Sequence, residues 1–388
     1  MVAMGLCATA DPSHHGQVSL HQSLPAGCEP ACHGCRHRTL TPGASLAQKQ
    51  HYLGAVLAPW ADRLQPAHSV PPGQRFGYRD RVTLNARWDA TRGWRFGLMR
   101  REEPIAIHDC PVHSARVNRL VKCLREYASP HADFPLAYLH VAGGQATLVV
   151  KSRRLHPGVC DAFVEQVPQV GLDGLWLHLH PAAGRRLFAR RGWQLLWGAP
   201  RSVGPGGVVH GPTAFQQLLP QLHAISLDVA ARHLVRSPGA SVLDLYCGIG
   251  VSLRRWLEAG AATLGVELAG GAVDCIADNA PGAAVLRGTC MQRLPQIREW
   301  WGRQAAWRAA YVNPPRSGLE REVLAALAHE LRPQRLAYLS CSAGTLARDL
   351  GEFQRAGYVV TGLVPFDFFP GTHHVECLAL LERSGSGP

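Results

Sequence analysis

The chain contains no run approaching the roughly 20 consecutive apolar residues that a membrane-crossing helix needs, so a membrane-embedded enzyme is not expected. Residues Met1 to Ala10 lack the positive region of a secretory signal, and the expected location is the cytoplasm. In that reducing setting, twelve cysteines are metal ligands, nucleophiles or small buried hydrophobes rather than disulfide partners. No internal repeat is present, which argues against a solenoid or propeller. Acidic residues are in short supply: 28 Asp and Glu face 40 Lys and Arg, a formal charge of +12. That balance favours a polyanionic partner, although a basic proteome bias produces the same number. Lysine is scarce beside arginine, a preference that suits phosphate forks and base stacking.

What is present divides the chain. Residues 1–20 have no periodicity and include His14-His15; they are expected to form a flexible tail, as is 384–388. Short apolar runs between Gly, Pro and Asp turns, such as Arg81–Ala86, Ala146–Val150 and Leu175–Leu179, predict a β-rich module within 21–205. His178 and His180 share one face of such a strand and are either paired ligands or packed histidines. A glycine-rich passage at Val203–Gly207 marks a boundary, and 206–383 then alternates strands with helices. Strands are expected at Ser241–Tyr246, Thr263–Glu267, Ala309–Val312, Leu336–Leu339, Val359–Val364 and Val375–Leu381. The fold class is therefore α/β, with a largely parallel Rossmann-like sheet following a β-rich N-terminal domain.

The first strand of that sheet runs into Asp244-Leu245-Tyr246-Cys247-Gly248-Ile249-Gly250. Gly248 and Gly250 permit a tight turn and a close ligand approach at a helix N-terminus, and Glu267 ends the next strand where a carboxylate can hold ribose hydroxyls. Position 253, where a dinucleotide fingerprint has its third glycine, is Leu253, so a nucleoside other than NAD is expected; the spacing resembles that of S-adenosylmethionine methyltransferases.

Cys341 leaves one strand, and Glu376 heads a later one in Thr372-His373-His374-Val375-Glu376: a nucleophile and a base at one sheet edge. With Asn313-Pro314-Pro315-Arg316, Ser340-Cys341 and Gln217 added, residues 210–383 resemble the RNA 5-methyluridine methyltransferases. The resemblance implies a class I S-adenosylmethionine methyltransferase domain that methylates uridine C5 through a cysteine–C6 adduct. It implies Cys341 as nucleophile and Glu376 as base, with Gln217, Asp244, Tyr246, Gly248, Gly250, Glu267 and Asn313 around the donor. Five positions depart from the family pattern: Asn313 replaces an aspartate, Ser342-Ala343 replaces Asn-Pro, Leu219 replaces an asparagine, and Thr289 stands where an acid is common.

Cys28, Cys32 and Cys35 are spaced so that three thiols converge, and Cys110 in Asp109-Cys110-Pro111 is a candidate fourth ligand. The pattern resembles the four-cysteine [4Fe–4S] site of many family members; zinc, with His33 replacing a thiol, is the alternative. Arg79, Arg81, Arg87, Arg92, Arg95, Arg100 and Arg101, interleaved with Phe76, Tyr78, Trp88, Trp94 and Phe96, form a candidate RNA face or a solvated basic face over core aromatics. The resemblance implies RNA as partner, with 23S rRNA preferred over tRNA; no obligate protein partner is evident, and the short segment ahead of Cys28 is expected to leave no room for the additional N-terminal RNA-binding barrel of some members. Two alternatives stand beside it: a catalytically impaired RNA-binding paralogue, and an adenine-N6 methyltransferase suggested by Asn-Pro-Pro.

Overall fold

A computed structural model describes residues 20–385 apart from 102, 157, 238, 305 and 306. The His14-His15 pair, most of the N-terminal tail and residues 386–388 lie outside the described residues.

The first sheet is built from β1 (Arg81–Asp89), β2 (Gly93–Arg100), β3 (Glu103–Ala106), β4 (Leu136–Ala142), β5 (Gln145–Val150), β6 (Gly174–Leu179) and β7 (Trp193–Gly198). Their order is β3-β2-β1-β4-β5-β6-β7, antiparallel throughout except for the parallel pair β5–β6. Alternation on β1 sends Val82, Leu84 and Ala86 inward. They meet Val117, Leu120, Val121 and Leu124, one helical stripe of Ala115–Tyr127. The same pleat buries Trp94 and Phe96, and Tyr78 is buried as well, so only Phe76 and Trp88 of the expected stacking aromatics are exposed. His178 and His180 are packed histidines: His178 is buried against Trp193 at 4.1 Å between ring centroids, and its Nε2 accepts from the Ala189 amide.

The glycine passage at the expected boundary forms a small hairpin, β8 (Ser202–Gly204) with β9 (Val208–His210). The second sheet contains β10 (Ser241–Leu245), β11 (Ala262–Glu267), β12 (Ala284–Arg287), β13 (Arg308–Val312), β14 (Arg335–Ser340), β15 (Tyr358–Phe366) and β16 (Glu376–Arg383), in the order β12-β11-β10-β13-β14-β16-β15. The five strands β10 to β14 pair in parallel, whereas β16 runs antiparallel to both β14 and β15. That reversal places the beginning of β16 at the edge where the parallel strands end.

Residues 42–68 lie against this second sheet. Leu53, Leu57 and Trp60 join its core beside Leu243, Phe353 and Leu363, and Gln65 and His68 donate backbone hydrogen bonds to Leu363 and Pro365 on β15. No described helix is long and apolar enough to cross a membrane.

Candidate active site

Register brings the two reactive side chains together. Ser340, the last residue of β14, pairs with Cys377 of β16, so the next residue on one strand, Cys341, and the preceding residue on the other, Glu376, share the ligand-facing edge. Cys341 is half-buried, and Glu376 is only 4% exposed. Burial pushes the Glu376 carboxyl up to about 7, against a hydrogen bond from Gln217 that pulls it down. The Cys341 thiol is pushed up by burial and by the Glu376 charge, and pulled down by Arg316. Arg316 is held near by its carbonyl, which accepts from Thr345 Oγ1 at 3.3 Å.

A cavity of about 560 Å³ opens beside this edge and takes Gln217, Tyr246, Gly248 and Asn313 into its wall, with Phe215 and Tyr311. Tyr246 has φ 63, a left-handed conformation that a bulky residue adopts at a cost; the turn leaving β10 holds it there. Gly250, φ 87, precedes the helix Val251–Glu258, and a Cβ there would lie 3.2 Å from Ile276.

Asp244, Gly250 and Glu267 do not line the cavity. Asp244 is fully buried beneath the loop, where its Oδ2 accepts from Trp256 Nε1 at 2.7 Å, and burial pushes its carboxyl up to about 7. Glu267 ties the loop to the end of β11: its oxygens accept from the amides of Gly248 at 3.0 Å and Ala269 at 2.7 Å.

The departures from the family pattern have local roles. Thr289 caps the helix Cys290–Gly302, accepting from the Gln292 amide while the Gln292 side chain accepts from the Thr289 amide. Leu219 is buried ahead of the helix Pro220–Leu234 and packs with Leu222 and Leu227.

The four cysteines singled out above come together. Cys28, Cys32, Cys35 and Cys110 line one cavity of about 40 Å³, with Pro111, Pro370 and Gly371. All four are free and half-buried, and the Gly34 amide points at Cys32 Sγ from 3.4 Å. Among the described residues, however, no three His, Cys, Asp or Glu side chains converge closely enough to hold a metal ion, and His33 is not in the wall of the thiol cavity. Neither the expected [4Fe–4S] site nor its zinc alternative is therefore shown as a closed set of ligands among the described residues.

A set of contacts that sequence reasoning missed holds the chain just before Glu376. Lys49, fully buried, donates from Nζ to Asp367 Oδ1 at 2.6 Å and to the Phe369 carbonyl at 3.2 Å. Tyr78 donates its hydroxyl to the Pro370 carbonyl, and the His37 amide donates to Gly371. Nothing local in the sequence pairs Lys49 with a residue 318 positions away.

A seven-stranded sheet with one antiparallel strand inserted near its end, and a glycine turn after its first strand, defines a class I methyltransferase fold. The crystal structure of Pyrococcus abyssi tRNA (uracil-54, C5)-methyltransferase in complex with S-adenosyl-L-homocysteine has this architecture too, with a TM-score of 0.68 at 20% identity over 91% of this chain and 86% of that one. Residues 290–384 match the family model described as tRNA (Uracil-5-)-methyltransferase. A 23S rRNA (uracil(1939)-C(5))-methyltransferase RlmD of Pseudomonas fluorescens is 31% identical, over 93% of this chain and 81% of that protein. An uncharacterised RNA methyltransferase of Gloeobacter violaceus is 28% identical, over 95% of this chain and 84% of that one. The chain belongs to the RNA uracil-5-methyltransferase family.

Proposed function

We propose that the chain methylates C5 of a uridine in RNA with S-adenosylmethionine as donor, 23S rRNA being the preferred substrate. The observation that carries this reading is the Gln217–Glu376 hydrogen bond, which joins the wall of the 560 Å³ cavity to the buried carboxylate beside Cys341. The relatives named as 23S rRNA enzymes favour ribosomal RNA over tRNA.

The chemistry needs both side chains. Uracil C5 is a poor nucleophile until Cys341 Sγ, as thiolate, forms a bond to C6 and pushes the ring electrons onto O4. The donor supplies an electrophilic sulfonium methyl group, which the activated C5 accepts. Glu376 then takes the C5 proton on a carboxylate oxygen, the C5–C6 double bond reforms, and the C6–S bond breaks to return the Cys341 thiolate. A carboxylate raised to about 7 is matched to that task near neutral pH, a role typically contributing about 10²–10⁴-fold. Arg316 offsets the charge of Glu376 at the thiol. The target base must leave its stack to reach Cys341, which favours loops and bulges.

For Cys28, Cys32, Cys35 and Cys110 we favour a [4Fe–4S] cluster, because four free thiols surround one cavity as four-thiolate ligation of a cubane requires. Such a cluster would supply structure, since its cavity shares Pro370 and Gly371 with the chain leading to Glu376.

The test is nucleoside mass spectrometry after anaerobically purified protein meets methyl-labelled donor with unmodified rRNA or tRNA. Labelled 5-methyluridine from rRNA is expected. Label in 6-methyladenosine would replace the reading with the adenine one, and no label with donor binding lost would favour the impaired paralogue.

A further inference from the structure

A second cavity, of about 280 Å³, lies between the cysteine segment and β1, lined by Arg79, Arg81, Thr83, His113 and His140 together with Cys32, Cys35 and Cys110. No Asp or Glu contributes to its wall. Its cations are not equivalent. Arg79 acts on the thiols of Cys35 and Cys110 and bonds the Tyr78 hydroxyl, although its Nε too is buried without a partner. Among the described residues, Arg81 has no such partners. Burial pulls its guanidinium down, its Nε is buried without a partner, and its recorded contact is the Phe215 ring at 4.8 Å. Neighbouring Asp80 is occupied by Ser114 and Arg116. A desolvated guanidinium without a counter-anion is costly, and the fold tolerates it where an anion will bind.

His140 repeats the pattern. It is 4% exposed, Thr83 Oγ1 lies 2.8 Å from its Nδ1, and its Nε2 has no partner. With the Thr83 hydroxyl donating to Nδ1, the neutral ring carries its proton on Nε2, a free donor. The cavity thus presents a guanidinium fork and an imidazole N–H, with the Thr83 hydroxyl proton committed to Nδ1 and no carboxylate in its wall. That set selects a phosphate. Arg81 also lines an adjoining cavity of about 320 Å³ that reaches Gln216 and Gln217, and Gln217 holds Glu376. Arg81 therefore stands between the phosphate position and a cavity whose wall includes Gln217.

We infer that Arg81 and His140, the latter oriented by Thr83, form a binding site for one phosphodiester of the RNA strand that delivers the target uridine. The site rests on the uridine-methylation reading for the identity of its ligand. It assigns a specific role to one arginine of the seven-member basic stretch.

The experiment is RNA binding by the full-length protein, measured by fluorescence anisotropy across a salt series, for the wild type, Arg81→Gln and Arg298→Gln. Arg298 is exposed and paired with Glu330, away from the cavity. Arg81→Gln is expected to weaken binding on every sequence and to reduce the log–log salt slope by about 0.7–0.9, the loss of one phosphate contact, while Arg298→Gln leaves the slope unchanged. Calorimetric binding of S-adenosylhomocysteine, unchanged in Arg81→Gln, verifies its fold. Should that variant misfold, Arg81→Lys serves: it keeps the charge and the slope, and loses affinity because the fork is gone. An unchanged slope in Arg81→Gln, or full affinity in Arg81→Lys, overturns the site while leaving the methylation reading intact. A wild type that binds no RNA overturns both. A free-phosphate site would appear as stabilisation of the wild type, but not Arg81→Gln, by inorganic phosphate at constant ionic strength with no change in the RNA slope; that result overturns the RNA assignment.

Discussion

Gln217 Nε2 donates to Glu376 Oε2 at 3.1 Å, across 159 positions of sequence, and both groups are buried. One side chain therefore lines the 560 Å³ cavity and tunes the carboxylate beside Cys341. Removing the donor group in Gln217→Leu eliminates the one interaction that lowers the Glu376 carboxyl. The acid limb of the pH–rate profile, expected near 7 in the wild type, should move to higher pH, with weaker S-adenosylmethionine binding measured by calorimetry. An unmoved acid limb would dissociate Gln217 from the base.

Replacing Glu376 by glutamine separates its cost from its use. Its folded value, about 7, is raised above the ordinary 4.5, so its contribution to stability is fully present below about 4.5 and lost as pH rises through 7. Relative to the wild type, Glu376→Gln should gain stability between pH 5 and pH 8, on the order of 1–3 kcal/mol, while turnover is lost. Denaturant unfolding at the two pH values reads the difference; a gain that is equal at both would contradict a buried, proton-holding carboxyl.

Lys49 offers a structural counterpart. Lys49→Met leaves Asp367 buried without its cation, and unfolding should show a loss of about 3–5 kcal/mol. In the double variant Lys49→Met, Asp367→Leu, most of that loss should return, because no charge is left unpaired. Hydrogen exchange of the peptide spanning 367–376 should rise in the single variant more than in the double one.

The cysteine cavity predicts a composition. Anaerobically purified protein should carry about four irons and four sulfides with a broad visible absorption, and Cys110→Ser should lose both. One zinc and no sulfide would contradict the cluster assignment.

Much of the site was legible because its signals are local. A glycine turn after an apolar run, an acid ending the next strand and a cysteine leaving a strand each specify a backbone position without reference to distant residues. The edge that collects them was legible too, since parallel strands end on one side. What local pattern cannot carry is which way a late strand runs. The antiparallel direction of β16 is what sets Glu376 opposite Cys341, and it follows from packing between β14 and β15. The resemblance implies Asp244 near the donor; what no local pattern discloses is its buried bond from Trp256. Trp94 and Phe96, interleaved with arginines, left stacking and core readings open; they are core, because β2 presents that face to the helix Ala115–Tyr127. The Lys49–Asp367 pair is wholly non-local.

The most direct measurement of the central claim is peptide mass spectrometry of the wild type after reaction with S-adenosylmethionine and RNA containing 5-fluorouridine. Fluorine at C5 gives Glu376 no proton to remove, so the Cys341–C6 bond persists after methyl transfer. The account predicts a methylated nucleotide attached to the peptide containing Cys341, and no adduct with Cys341→Ala. An adduct on a different cysteine, or methyl transfer to RNA uridine that survives Cys341→Ala, would contradict it.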